Sequence, residues 1–168
     1  MNLIRVDDRL IHGQVAVGWC GYIEPVYMII ADNEIASERN DSELYLTGVP
    51  FECVGKALTI VEAAEFVNSI RNEPYILVVK SLKDALDLFN AGCRYGSLNL
   101  GGIHYAEGKK EIVSYIYLDQ HDIDLIKEIT ASGAGIFVQD LPSNPEYGVD
   151  FILNKWKKIG RASCRERV

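Results

Sequence analysis

Apolar runs and amphipathic stretches alternate along the chain from its N-terminus, the pattern of β-α units that feed a parallel sheet. Leu3 to Val6 predicts a first strand, followed by a polar turn and a helical stretch from Gly13 to about Cys20. Val26 to Ala31 is a continuous apolar run, as expected of a strand covered on both faces. Asp32 through Gly48 is polar, with Leu44 and Leu46 predicting a short helix, and a brief strand near Ala57 to Ile60 precedes a helix that gathers Val61, Ala64, Phe66, Val67 and Ile70 on one face. The clearest unit is Tyr75 to Val79 as strand, Ser81 as N-cap, Leu82 to Ala91 as helix, Gly92 as its stop and Ser97 to Leu100 as strand. Ile112 to Leu118 alternates like one strand with a less buried face, and Asp119 to Ser132 reads as a helix closed by Gly133. Gly135 to Gln139 is the last strand, and Pro142 and Pro145 mark a loop before a short final helix ending near Trp156. The expected fold is α/β: a doubly wound, mainly parallel sheet of about six or seven strands with helices on both faces.

Composition narrows what such a fold can do. The 168 residues, 48% of them hydrophobic, suit one domain that buries about two thirds of its unfolded surface. A formal charge of −7 argues against a nucleic-acid partner, which wants a lysine- and arginine-rich face. Cys20, Cys53, Cys93 and Cys164 show no CxxC spacing, so neither a disulfide nor a metal site is expected. Asp7 and Asp8 stand where a signal peptide would need its apolar core, and no run reaches the ~20 apolar residues of a membrane span. An acidic body is ordinary for a cytoplasmic protein, and any membrane association is expected to come through a partner. The closing stretch Ile159 to Val168 is arginine-rich and aperiodic, and its back-translation resembles a sequencing-adapter read-through. The domain is accordingly placed at residues 1–158, with 159–168 as a non-native tail.

In doubly wound sheets ligands gather beyond the carboxyl ends of the strands. That rule selects Asp7 to Gln14 after the first strand, Asp32-Asn33 after the second, Lys80-Ser81 after the fourth and Gly101-Gly102 after the fifth. The first segment combines His12, Arg9, two carboxylates and Gly13 at the mouth of a helix. A neutral imidazole is a competent nucleophile toward a phosphoryl group. Amides from Gly13 and Gln14 onward would point at the phosphoryl oxygens with the helix N-terminus behind them. Arg9 would span two equatorial oxygens with its planar guanidinium, and Asp7 or Asp8 would orient the ring or hold Arg9. Arg5, Arg9 and Lys80 are candidates for a positive rim that docks an acidic partner, with Asp32, Gly101 and Gly102 beside them. His104 and His121 are the other histidines; the first lies in an irregular loop and the second heads a helix.

The string RVDDRLIHGQV closely resembles the N-terminal signature of IIB subunits in the mannose/fructose/sorbose family of the phosphoenolpyruvate-dependent sugar phosphotransferase system. The likeness continues through VYMIIADNEIA, YILVVKSLKDALDLFNAG, SLNLGGIHY and IFVQDLPSN, about residues 2 to 157. It departs at ADNE, where relatives often carry an ANDE-like order, which leaves the roles of Asp32 and Asn33 open. The resemblance implies a phosphocarrier, formally a protein-Nπ-phosphohistidine-sugar phosphotransferase. A phosphorylated IIA domain would pass its phosphoryl group to Nδ1 of His12, and the phospho-form would pass it to a sugar with membrane subunits IIC and IID. No cofactor is implied, since the phosphoryl group rides covalently on His12, and a homo-oligomer is an open option. Sugar specificity is expected to lie mainly in the membrane subunits.

Two other readings have sequence support. A signalling receiver would use Asp7-Asp8 and Lys80 around an acceptor aspartate, yet the third predicted strand ends near Thr59-Ile60 rather than at an acid. A nucleotide-binding module would need a glycine-rich first turn, and the loop has one glycine and neither GxGxxG nor GxxxxGK[ST] spacing.

Overall fold

The computed structural model describes residues 1–70 and 72–165, the last four of them by backbone alone. Its main sheet has seven strands in the order β3-β2-β4-β1-β5-β8-β9. These are β1 (Leu3–Asp7), β2 (Tyr27–Ala31), β3 (Val54–Leu58), β4 (Tyr75–Val79), β5 (Ser97–Gly102), β8 (Gly135–Val138) and β9 (Tyr147–Gly148). All neighbours run parallel except β9, which pairs antiparallel with β8. The expected doubly wound, mainly parallel sheet is therefore what the chain forms, with β1 in the middle.

Side-chain parity along the strands sorts the interior into two layers. Ile4 and Val6 of β1, Leu77 and Val79 of β4, and Leu98 and Leu100 of β5 face the larger core. That core is covered by α4 (Ile60–Ser69), α5 (Leu82–Asn90), α6 (Gln120–Ala131) and α7 (Val149–Arg165). Leu3, Met28, Ile30, Ile76 and Val78 face the other layer, under α1 (14–23), α2 (Asn33–Ser37) and α3 (Arg39–Leu46). Helix α1 begins as a π-helix over Gln14–Trp19 and continues as an α-helix over Cys20–Ile23. Such widened turns are rare and concentrate at functional sites.

Local signals place the helices. Ser81 caps α5 by accepting from the Asp84 amide, while Thr59 with Glu62 and Asp119 with Asp122 form capping boxes on α4 and α6. Gly92 and Gly133, at φ +110° and +97°, end α5 and α6 in the left-handed region that favours glycine.

Several elements differ from the sequence expectation. The two-residue strand β9 follows the strand expected to be last, and β3 lies at Val54–Leu58 rather than near Ala57 to Ile60, so that Ile60 opens α4. Ile112 to Leu118 is a hairpin, β6 (Lys110–Val113) and β7 (Ile116–Leu118), in its own two-stranded sheet. Its two-residue turn at Ser114-Tyr115 pairs Val113 with Ile116 and shifts side-chain parity by one, and a bulge between Glu111 and Val113 shifts it back, so the alternation reads like that of one strand. The polar stretch after β2 forms two helices, α2 and α3, because Asp32 caps the first of them. Helix α7 runs through Arg165 rather than ending near Trp156, and Ile159, placed beyond the domain on composition, packs against the larger core. Residues 166–168 of the expected tail lie outside the described residues.

Candidate functional site

The loop after β1 gathers the predicted chemistry. His12 keeps a fifth of its side chain exposed, and its Nδ1 lies 3.0 Å from the Leu10 carbonyl oxygen. A carbonyl only accepts, so Nδ1 carries a proton in this arrangement. Nε2 stands 3.4 Å from Gln14 Oε1 and 3.8 Å from Asp7 Oδ2. Leu10 adopts φ +57°, a turn that brings its carbonyl under the ring. The His12 carbonyl accepts from the Val15 and Ala16 amides at 2.9 and 2.7 Å, which fixes the ring at the first turn of α1.

Arg9 is half-exposed and lies beside the ring. Its Nη2 donates to Gln14 Oε1 at 2.9 Å and its Nε reaches Asp7 Oδ1 at 3.5 Å. Gln14 thus bridges guanidinium and imidazole through its side chain, a contact the sequence reading, which used only its amide, did not foresee. Gly13 sits at φ −50°, and a Cβ there would meet nothing within 4 Å. Neither backbone conformation nor packing requires glycine at position 13.

The two aspartates divide their work. Asp7 is fully buried; its Oδ2 accepts from Arg5 Nε at 3.2 Å and Nη2 at 2.8 Å, while Oδ1 accepts from the Arg9 amide at 3.2 Å. Asp8 turns to the opposite side, where Oδ2 accepts from the His104 amide at 2.7 Å and Oδ1 lies 2.5 Å from His104 Nδ1. Asp7 is the aspartate that faces His12 and Arg9. His104 joins the site through Asp8, whereas no contact of His121 with these residues is seen among the described residues.

Arg5 is a correction to the expected docking rim. Its side chain is wholly buried, and Nη1 donates to Asn99 Oδ1 at 2.7 Å and to the carbonyls of Gln139 at 3.2 Å and Asp140 at 3.3 Å. Strand parity sends position 5 inward to the α1 layer, where the guanidinium lies 5.9 Å from the centre of the Trp19 ring. Burial lowers the Arg5 pKa from its ordinary value, and the adjoining Asp7 charge and hydrogen bond oppose that loss. Buried charges persist only when paired and fully hydrogen-bonded, and this pair is.

Gly101 and Gly102 are corrected with it. They are the last residues of β5, buried rather than on a rim, and they make room for the buried pair. A Cβ on Gly101 would collide with Arg5 Cζ, Nη1 and Nη2, and one on Gly102 would stand 2.7 Å from Asp7 Oδ1.

Lys80 and Asp32 form a separate pair at the same sheet edge. Lys80 Nζ lies 3.2 Å from Asp32 Oδ2, while Asp32 Oδ1 caps α2 through the Glu34 and Ile35 amides. Partial burial works against the Lys80 charge, but the Asp32 hydrogen bond and charge outweigh it and raise the pKa. Of the proposed positive rim only Arg9 faces solvent beside His12.

Asn99, Gln139, Asp140 and Trp19 were missed. Trp19 Nε1 donates to the Asp140 carbonyl at 2.8 Å, which fastens α1 to the loop after β8. The carboxyl-end rule, extended to the last parallel strand, would have selected Gln139-Asp140. An open groove of about 750 Å³ runs from Gly13 and Gln14, the two residues that follow His12, past Val17 and Tyr22 to Leu141 and Pro142.

The receiver reading gains nothing from this geometry. Asp7 is enclosed by arginines, Asp8 is taken by His104, and Thr59 rather than an acid follows β3.

Residues 1–162 match the family described as "PTS system sorbose subfamily IIB component". The chain is 32% identical over 149 residues to the N-acetylgalactosamine-specific phosphotransferase enzyme IIB component 2 of Escherichia coli, covering 85% of this chain and 92% of that one. A solved N-acetylgalactosamine IIB component from Streptococcus pyogenes is 26% identical and superposes with a TM-score of 0.82, over 90% of this chain and 94% of that one. The IIB domain of the sorbose permease from Klebsiella pneumoniae shares the fold at a TM-score of 0.83, with 24% identity over 91% of this chain and 95% of that one.

Proposed function

The chain belongs to the sorbose-subfamily IIB components of the sugar phosphotransferase system, and on that premise we propose that it carries a phosphoryl group on His12. The donor is a phosphorylated IIA domain, and the acceptor is a sugar presented by the membrane subunits IIC and IID. The observation that carries this reading is the partly exposed His12 ring, set at the first turn of α1 with Arg9 and Gln14 beside it.

In the transfer, a ring nitrogen of His12 forms a bond to phosphorus as the donor histidine's N–P bond breaks; in a second displacement a sugar hydroxyl bonds to phosphorus as the His12 N–P bond breaks, and the hydroxyl proton passes to the released imidazole. Arg9 offsets charge on the phosphoryl oxygens, and the amides after Gly13 supply neutral donors. Positioning and charge stabilisation carry such a step, with no dissociable cofactor. Asp7, held by Arg5, fixes Arg9 and steadies the charge on the ring. The family resemblance assigns the phosphoryl group to Nδ1; since that atom faces Leu10, reaction through it requires the ring to turn. No described helix is long and apolar enough to cross a membrane, which agrees with action at the inner membrane face through IIC and IID. Residues 159–168 are proposed to be foreign to the native domain; a gene that encodes RASCRERV in frame would refute that.

Incubation with phosphorylated cognate IIA tests the function. Wild-type protein should acquire an acid-labile, base-stable phosphoryl group, and His12→Ala should acquire none. Labelling retained in His12→Ala, or a base-labile adduct, would overturn the assignment.

A further inference from the structure

Two thiols from distant parts of the chain lie side by side in the α1 layer. Cys20 opens the α-helical half of α1, and Cys53 sits in the turn leading to β3, 33 residues away, with their sulfurs 3.5 Å apart. Both are half-buried against the smaller core, so each is reachable by a small solute. Cys53 Sγ also lies 3.3 Å from the Pro25 carbonyl oxygen. A carbonyl can only accept, so the Cys53 proton points there and its sulfur lone pairs are left facing Cys20. Cys93, by contrast, is buried at 3% exposure.

We propose that Cys20 and Cys53 form a reversible disulfide site, closed by a peroxide-class oxidant and reopened by cellular thiols. The Cys20 thiolate attacks the peroxide O–O bond, giving a sulfenic acid and releasing hydroxide or alkoxide. The Cys53 sulfur then attacks Cys20 Sγ, the S–O bond breaks, and water leaves with the Cys53 proton. In sum two thiols are oxidised and one peroxide is reduced. Because the Pro25 carbonyl holds the Cys53 proton, Cys20 is the sulfur that meets the oxidant and Cys53 resolves it; burial and the contact to Cys20 also push the Cys53 pKa up to about 11.

Bond formation needs the sulfurs to close from 3.5 Å to about 2.05 Å. In a reducing cytosol such a bond is transient rather than structural. Its consequence is local: it ties α1, which starts immediately after His12 and whose Gly21 and Tyr22 line the groove, to the lead of β3.

The test uses the full chain carrying Cys164→Ser, treated with hydrogen peroxide and alkylated without reductant. The expected product is monomeric, lighter by two hydrogens, and yields one peptide pair joining Cys20 to Cys53 that dithiothreitol separates. Cys20→Ser and Cys53→Ser should each abolish the pair; Cys93→Ala should not. Diamide on the Cys164→Ser protein gives a second route that needs no folding of further variants. Conversion of Cys20 to sulfinic acid while Cys53 stays free, cross-links only between chains, or linkage only in denaturant would overturn the proposal.

Discussion

Gly101 and Arg5 share one volume: the guanidinium of Arg5 fills the place where any side chain at position 101 would begin. The buried pair of Arg5 with Asp7 therefore depends on a glycine in the neighbouring strand, and the orientation of Arg9 and His12 depends on that pair in turn.

Two glycine substitutions separate structure from transfer. Gly101→Ala should lower stability by about 2 to 3 kcal/mol, because the strand cannot yield and the arginine must leave its partners. Gly13→Ala should change stability by less than about 0.5 kcal/mol, since nothing lies near the new methyl. It should nevertheless slow phosphoryl transfer by about tenfold by crowding the approach of the phosphoryl oxygens. Urea unfolding and single-turnover labelling read the two effects; unchanged labelling in Gly13→Ala removes that position from the site.

Arg9→Lys should leave the fold intact, because the side chain is half-exposed and its contacts are peripheral. Losing the planar fork should slow transfer about ten- to hundredfold in both directions. Equal single-turnover rates for the two proteins would remove Arg9 from the chemistry.

The ring nitrogens make an NMR prediction. In the free protein, 15N shifts of His12 should show the Nδ1–H tautomer once the ring is neutral, because Nδ1 faces the Leu10 carbonyl. In the phospho-form the nitrogen bonded to phosphorus should be Nδ1, with the Leu10 contact broken. A phosphoryl group on Nε2 would mean that the ring reacts without turning.

Alkali should unfold the protein through buried acids. Burial pushes Cys93 from 9.0 up to about 11 and Tyr75 from 10.0 up to about 12, and raises Tyr95. The unfolded chain releases these protons first, so stability is flat below about pH 9 and falls as pH rises, by up to ~1.4 kcal/mol per unit for each group. The loss levels off above the folded values. Urea midpoints at about pH 8 and pH 11 should differ less in Tyr75→Phe than in wild type; an equal difference would sink this account.

The site was legible where it was contiguous. RVDDRLIHGQ put a nucleophile, a guanidinium and a glycine within one loop at a strand end, and the spacing alone dictated that they meet. Arg5 carried a signal that was read too lightly: a charge in the middle of an apolar strand must be either exposed or fully paired. Its partners Asn99, Gln139 and Asp140 come from strands and loops more than ninety residues away, so no local pattern announces them.

The sequence by itself determined the alternation of strand and helix, the caps, the two-sided core and the loop that bears His12, since these follow from periodicity and short-range hydrogen bonding. Only the tertiary structure decided that Asp7 rather than Asp8 faces the ring, that Arg5 lies beneath the site, and that Gly101 and Gly102 serve the buried pair. Those outcomes depend on strand order and register, which bring β5 and the end of β8 against β1 and are set by packing of the whole sheet rather than by any one segment.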